Sequence, residues 1–272
     1  ILIVFSFFLS ILIIDKSFPN HFVQKNKVGA LPNAIITANI GSLNVIEIFV
    51  NSTNLGSINS SSFATKISLT TLSASPINIK IADLNNDNRK DIIVLYSLGT
   101  NNLFSIFFNN YISGLFTASS FSRLDYFSGG LNPQGAAVGD FDLDGKQDIA
   151  VTHYNSNNIT IFRNISTSTS LVLAAGVSFT TGSGPSAIAA DDINNDGKVD
   201  LVSANWSGNS ITVLRNTNST LGTISFSSSN STTQTNPNWV NITDFNNNGL
   251  KEVVVSNWQS SSTSIFENLS TT

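Results

Sequence analysis

The sequence contains no cysteine and no methionine, only two histidines, and few charges: Asp, Glu, Lys and Arg together make up 11% of it. Without cysteine there are no disulfides, thiol nucleophiles or zinc–thiolate centres. The compartment stays open on that ground, because secreted proteins without disulfides exist. Thirteen Lys and Arg on a chain of formal net charge −4 supply no basic stripe for a phosphate backbone, so nucleic acid is not an expected partner. Helical spacing is missing too, since beyond the N-terminal tail no stretch of ten carries it. What the chain has in quantity is apolar residues, 41% of 272 positions, ample for a buried core.

The first residues stand apart. Ile1 to Ile14, ILIVFSFFLSILII, is an apolar run broken only by two serines, with no charge before Asp15. It is shorter than the about 20 residues that cross a bilayer. It reads as a signal-peptide core or the end of a membrane anchor on a chain that starts further upstream, the alternative being a buried strand or two at the edge of the fold. Residues 1–30 are expected to be this segment and its linker, and residues 31–272 the folded domain. The protein is then expected outside the cell, secreted or on its surface, touching membrane only through that anchor. Asn-x-Ser/Thr triplets begin at Asn51, Asn59, Asn158, Asn164, Asn205, Asn218, Asn230, Asn241 and Asn268. They fit a glycoprotein, although a chain this rich in Asn, Ser and Thr also makes such triplets by chance.

Aligning the chain with itself reveals a repeat. DLNNDNRKD (Asp83 to Asp91), DFDLDGKQD (Asp140 to Asp148), DINNDGKVD (Asp192 to Asp200) and DFNNNGLKE (Asp244 to Glu252) start 57, 52 and 52 residues apart. A proline stands seven residues before each: Pro76, Pro133, Pro185 and Pro237. After each come two runs rich in Val, Ile, Thr and aromatics, such as DIAVTHY and NITIFRN, in which Ile159 and Ile161 face one way and Thr160 and Phe162 the other. Period two means strand, so the protein is predicted to be all-β. A repeat of this length holds four strands, one blade of a β-propeller, and blades must stack on one another to bury their faces. Ala34 to Thr53 matches the second and third strands of a further blade whose acidic loop is lost. About five blades are therefore expected, as a closed ring or as part of a larger one.

Of the 17 Asp and Glu residues, 12 fall at positions 1, 3, 5 or 9 of the four windows. Such clustering of like charge is unfavourable without a cation, and oxygens at alternating positions of a tight loop suit a hard ion with six to eight oxygen ligands, calcium above all. Position 6 must turn sharply, which Gly145, Gly197 and Gly249 permit, with Asn88 as the nearest substitute. At position 7 only a carbonyl is on offer, because the side chain is Arg89, Lys146, Lys198 or Leu250. An EF-hand is excluded, since its twelfth residue is a bidentate Glu and its flanks are helices. Here position 12 is Val94, Val151, Ser203 or Val255, between strands.

With these residues, the repeat resembles the FG-GAP/VCBS family, the calcium-binding blades of integrin-α-like propellers. The resemblance covers about Ala34 to Thr272. It implies four metal loops: Asp83, Asn85, Asp87, Arg89 and Asp91; Asp140, Asp142, Asp144, Lys146 and Asp148; Asp192, Asn194, Asp196, Lys198 and Asp200; and Asp244, Asn246, Asn248, Leu250 and Glu252. Carboxylate number tunes affinity, so the second loop is expected to bind best and the fourth, with two carboxylates, worst. The family's Phe-Gly pair is absent.

Calcium in such loops is expected to staple structure, which moves the search for a binding surface elsewhere. Tyr154, Trp206 and Trp258 stand fourteen residues after each loop's first Asp, and Tyr96 one residue short of the same spacing. They are either packing between blades or platforms for a protein or glycan ligand on the face opposite the loops. Outside the loops the carboxylates are Asp15, Glu47, Asp125, Asp191 and Glu267, which form no acid–base pair in sequence, and His153 reads as a polar loop residue. A binding and adhesion module without catalysis is the expectation, with a propeller domain of a secreted polysaccharide-acting enzyme as the alternative.

Overall fold

The computed structural model describes residues 21–26, 34–39, 44–50, 65–72, 75–97 and 102–269. The N-terminal apolar run and the triplets at Asn51 and Asn59 lie outside them. The described residues form five antiparallel sheets. The first holds β1 (His21–Asn26), β2 (Ala34–Asn39), β3 (Val45–Val50) and β4 (Thr65–Thr70). In the second are β5 (Ser75–Ala82), β6 (Asp91–Ser97), β7 (Leu103–Asn109) and β8 (Phe121–Phe127). The third contains β9 (Pro133–Gly139), β10 (Asp148–His153), β11 (Asn158–Phe162) and β12 (Val177–Thr180), and the fourth β13 (Pro185–Asp191), β14 (Asp200–Asn205), β15 (Ser210–Asn216) and β16 (Phe226–Thr232). The fifth has β17 (Pro237–Thr243), β18 (Glu252–Asn257) and β19 (Ser262–Phe266). Strands follow chain order across every sheet, the arrangement of propeller blades. β1 pairs along its whole length with β2, so residues 21–26 complete the first blade and are not linker.

The blades fall into two compact units, residues 1–126 and residues 127–272. Among the described residues the second strands β6, β10 and β14 are buried on both faces, β10 and β14 from end to end. The outermost strands β12 and β16 are mostly exposed. The reason is face-to-face stacking. Ala137, Phe141, Ala150, Ile159 and Ile161 of the third blade share one core with Ile188, Leu201 and Leu214 of the fourth. On its other side the fourth blade packs Ala187, Val202, Ala204 and Ile211 against Val240, Ile242, Val253 and Val255 of the fifth. In the first unit Ile36, Ile46, Ile48 and Ile67 meet Ile79, Ile92 and Val94 in the same way. Each Val, Leu or Ile among them contributes about 1.5–3 kcal/mol on burial, and each Ala less. Inner strands approach closely because they carry small residues: a Cβ on Gly135 would stand 3.3 Å from the Ala187 backbone.

Each described blade with an acidic loop starts at its proline or, for Pro76, one residue before it, and there the register with the second strand shifts, as between Pro185 and Ala187. Proline has no N–H for the ladder and is tolerated at a strand's first residues or a bulge. A further device joins successive blades of the second unit. Asn157, at φ 52 in the β10–β11 turn, accepts the Gly184 N–H on its Oδ1 (2.8 Å) and the Thr181 N–H on its carbonyl (3.0 Å). One blade on, Asn209, at φ 47, accepts the Asn236 N–H (2.9 Å) and the Thr233 N–H (2.8 Å). The turn of one blade thus holds the chain as it enters the next.

Candidate metal centre

All four acidic windows lie between the first and second strands of their blades and share one hydrogen-bonded skeleton. Position 1 accepts two backbone N–H groups: in the second loop Asp140 takes Asp144 N–H (3.0 Å) and Gly145 N–H (2.9 Å). Asp83, Asp192 and Asp244 do the same. Position 5 folds back on position 7, through Arg89, Lys146, Lys198 and Leu250 N–H donating to Asp87, Asp144, Asp196 and Asn248. Two residues per loop take a left-handed backbone. Position 6 does so as expected, Gly145 at φ 85, and so does position 4: Asn86, Leu143, Asn195 and Asn247, at φ 57, 66, 57 and 59. Sequence reading missed position 4, for which three asparagines were the available signal.

The acid at position 9 closes the loop. Asp148 takes the Phe141 N–H (3.0 Å) on one oxygen and the Asn164 N–H (2.7 Å) on the other, tying the loop to the end of the third strand. Asp91 and Asp200 repeat both bonds, with Leu84 and Asn109, and with Ile193 and Asn216. Glu252 keeps the first, from Phe245 N–H at 2.8 Å. Burial pushes the Asp148 carboxyl up to about 7, against the pull of its two amide donors, and neighbouring Asp142 and Asp144 add to the rise. Asp91, also driven chiefly by burial, is pushed up to about 7, and Asp200 is raised for the same reason. A buried carboxylate among carboxylates is a poor place for negative charge without a cation.

In the second loop the geometry gathers a donor set. Oxygens of Asp140, Asp142 and Asp148 lie within 4.8 Å of one another, with Asp142 and Asp148 fully buried. Three hard carboxylate oxygens without nitrogen or sulfur donors fit a calcium-type ion. The other loops place Asn85, Asn194 and Asn246 where Asp142 stands, and side-chain cations lean on several acids: Arg89 on Asp87, and Lys146 Nζ on Asp144 at 3.3 Å.

The aromatic positions separate. Tyr96 is a core residue, 5% exposed, its hydroxyl donating to Ser105 Oγ (2.8 Å), and burial pushes its pKa up to about 12; it is not available as a platform. Tyr154 reaches the next blade's turn through its hydroxyl and Ser207 Oγ (2.7 Å). Trp206 is half-buried, with its backbone N–H on the Gly184 carbonyl (2.8 Å). Trp258 is 69% exposed and lines a shallow depression with Asn238, Ser256, Asn257 and Ser262. His153 is the last residue of β10 and fully buried, not in a loop; burial outweighs its polar neighbours Ser128 and Asn158 and lowers its pKa to about 4.

Several Asn-x-Ser/Thr triplets are taken up by the fold. The Nδ2 groups of Asn164, Asn205 and Asn218 are buried and donate to the Gln147 carbonyl, to Thr212 Oγ1 and to the Phe141 carbonyl. Asn268 Nδ2 donates to the carbonyls of Ile193 and Lys251. Asn230 and Asn241 are exposed, and Asn158 is half-buried.

Residues 140–203 and 192–255 match the family model described as the FG-GAP-like repeat. Residues 140–255 carry FG-GAP-like repeats. No curated protein matches it. Among solved structures, a functionally unknown protein from Desulfotomaculum acetoxidans aligns over 94% of this chain and 77% of its own, at 14% identity and a TM-score of 0.55. A Bacteroides fragilis protein described as a candidate 6-phosphogluconolactonase aligns over 94% and 79%, at 14% identity and a TM-score of 0.43. At this identity the Desulfotomaculum likeness speaks to fold alone, and it agrees with the FG-GAP-like repeats in blades of one architecture.

Proposed function

We propose that this chain is an extracellular, calcium-stapled propeller that presents a binding surface to a protein or glycan and has no catalysis of its own. The convergence of Asp140, Asp142 and Asp148 supports the metal reading most directly. With Asp144 and the Lys146 carbonyl, these residues would hold the ion. Bound calcium would neutralise the charge that burial makes costly and fix β9 to β10, and the remaining loops would do the same with fewer carboxylates.

Of the four described carboxylates outside the loops, three are engaged singly with cations, Glu47 with Lys66, Asp125 with Arg123 and Asp191 with Lys251, and the fourth, Glu267, is exposed just past the end of β19. That dispersion favours a binding module over general acid–base chemistry, which needs paired groups in a cleft. Trp258 beside its shallow depression is the best-placed platform for a sugar ring or a peptide loop. If the protein is glycosylated, Asn230 and Asn241 are the acceptors the fold leaves open.

Thermal unfolding with and without calcium tests the staple. An ion at one hundred times its Kd stabilises the fold by about 2.7 kcal/mol, so the melting temperature should fall by several degrees in chelator; an unchanged melt rejects the metal reading. A glycan-array screen of wild type and Trp258→Ala, each with and without calcium, tests the surface: binding lost with an unchanged melt supports recognition, and unchanged binding rejects this platform.

A further inference from the structure

The third strands of the third, fourth and fifth blades end beside their acidic loops, and one position there carries a charge that differs among the three. Phe162 pairs with Ile149, Leu214 with Leu201 and Phe266 with Val253, so the next residues, Arg163, Arg215 and Glu267, occupy one place in the fold. In the second loop Arg163 Nε donates to Asp142 Oδ2 at 2.6 Å, and the Asp142 carboxylate is fully buried. A built slot receives the guanidinium: the Gly222 N–H donates to the Asp142 carbonyl (2.9 Å), and a Cβ on Gly222 would stand 2.9 Å from Arg163 Nη2. In the third loop Arg215 Nη2 stands 3.8 Å from Asp196 Oδ2 on a more exposed side chain. In the fourth, the loop has Asn246 and Asn248 where the second has Asp142 and Asp144, and its third strand carries exposed Glu267.

In these three blades the charge at this position follows the charge of the loop it faces; beside the first loop, where Ile92 pairs with Phe107, the place is held by uncharged Phe108 and the cation on the loop is its own Arg89. Four carboxylates face a directly bonded arginine, three a more distant one, and two a glutamate. We infer that this third-strand position tunes the cation affinity of the second, third and fourth loops, with Arg163 acting as a built-in competitor for Asp142 and Glu267 acting in favour of the cation at the fourth loop. Asp142 Oδ2 cannot serve a guanidinium N–H and a metal ion without loss to one of them, and a charge-assisted bond to a buried carboxylate is among the stronger ones to give up. Arg163 also keeps the acid cluster tolerable before any metal arrives. The inference rests on the calcium reading and reverses its simplest corollary, that affinity follows loop carboxylates alone.

Calorimetric calcium titration of the full chain tests it, with wild type, Arg163→Met and Glu267→Arg, each also in an Asp140→Ala or Asp244→Ala background to assign the heat to its loop. Arg163→Met should tighten the second loop by about tenfold, and Glu267→Arg should weaken the fourth by a similar factor. Arg163→Met should also melt earlier than wild type in chelator and gain more from calcium. Glu267 is exposed, so its variant keeps the test usable if Arg163→Met does not fold. Affinities unchanged in a protein that does bind calcium overturn the inference and leave the calcium reading standing. No heat and no melt shift in wild type reject both.

Discussion

The second and fourth acidic loops are copies of one skeleton whose surroundings have diverged. In both, position 1 gathers two backbone N–H groups and position 9 takes the amide of position 2. In the second, Phe141 is buried against Phe226 of the following blade, Asp142 and Asp148 are buried, and Arg163 sits on the cluster. In the fourth, the matching Phe245 is 65% exposed, asparagines replace two acids, and the third-strand charge is reversed. The skeleton comes from backbone bonds that any Asp-x-Asn/Asp-x-Asp/Asn-Gly sequence can make. The gathering of three acids in the second loop comes with burial, which the packing of neighbouring blades supplies to Phe141, Asp142 and Asp148.

That comparison can be broken at position 9. Asp148→Ala orphans two buried N–H donors, Phe141 and Asn164, and should destabilise the metal-free protein by about 4 kcal/mol, whereas Glu252→Ala should cost about half of that. Urea denaturation in chelator measures both; Glu252 is buried as Asp148 is but takes one backbone donor instead of two, so equal losses would mean that the second amide bond does not distinguish the loops.

A smaller effect, of opposite pH sense to the carboxylates, belongs to His153, which stands where the fifth blade has Asn257. Its native pKa is lowered from 6.5 to about 4, so between those values the unfolded chain holds a proton that the native state refuses. Stability then falls as pH drops through this window, by about 3 kcal/mol in full. Asp148 works the other way in the metal-free protein, because its raised native pKa favours folding at low pH and that gain is lost as pH rises toward about 7. The difference between wild type and His153→Asn is therefore the readout: it should grow steadily from pH 7 to pH 4, and a constant difference would show that His153 does not titrate in this window.

The smallest expected effect is at position 4. Leu143 holds φ 66 where the fourth loop has Asn247 at φ 59. Asparagine adopts this conformation more readily than leucine, so Leu143→Asn should stabilise by about 0.5–1 kcal/mol, measured in the same denaturation. A loss of stability would show that the Leu143 side chain contributes more by packing than its backbone strain removes.

Much of this was legible in the chain because the repeats wrote it several times. Period-two runs gave strands, the prolines marked where blades begin, and glycines marked position 6, since each is a local property of its own residue. Position 4 was hidden by Leu143, which carries no turn propensity. The third-strand asparagines Asn164 and Asn216 read as a glycosylation acceptor and as part of a strand, yet their backbone N–H groups close the acidic loops from about sixteen residues away. Tyr96 and Trp258 fall at nearly one spacing in the sequence but at 5% and 69% exposure, because exposure depends on what lies across the blade face. His153 was mistaken for a loop residue for the same reason: polarity is written in the residue, enclosure in its neighbours.

The clasps made by Asn157 and Asn209 point in one direction along the polypeptide. Each completed turn presents an acceptor to backbone that follows it by 27 residues. A nascent chain emerging N-terminus first therefore meets every anchor already formed, so that synthesis order and assembly order coincide, and a circular permutant that reversed the relation at Gly184 would have to find its anchor after the strand that needs it.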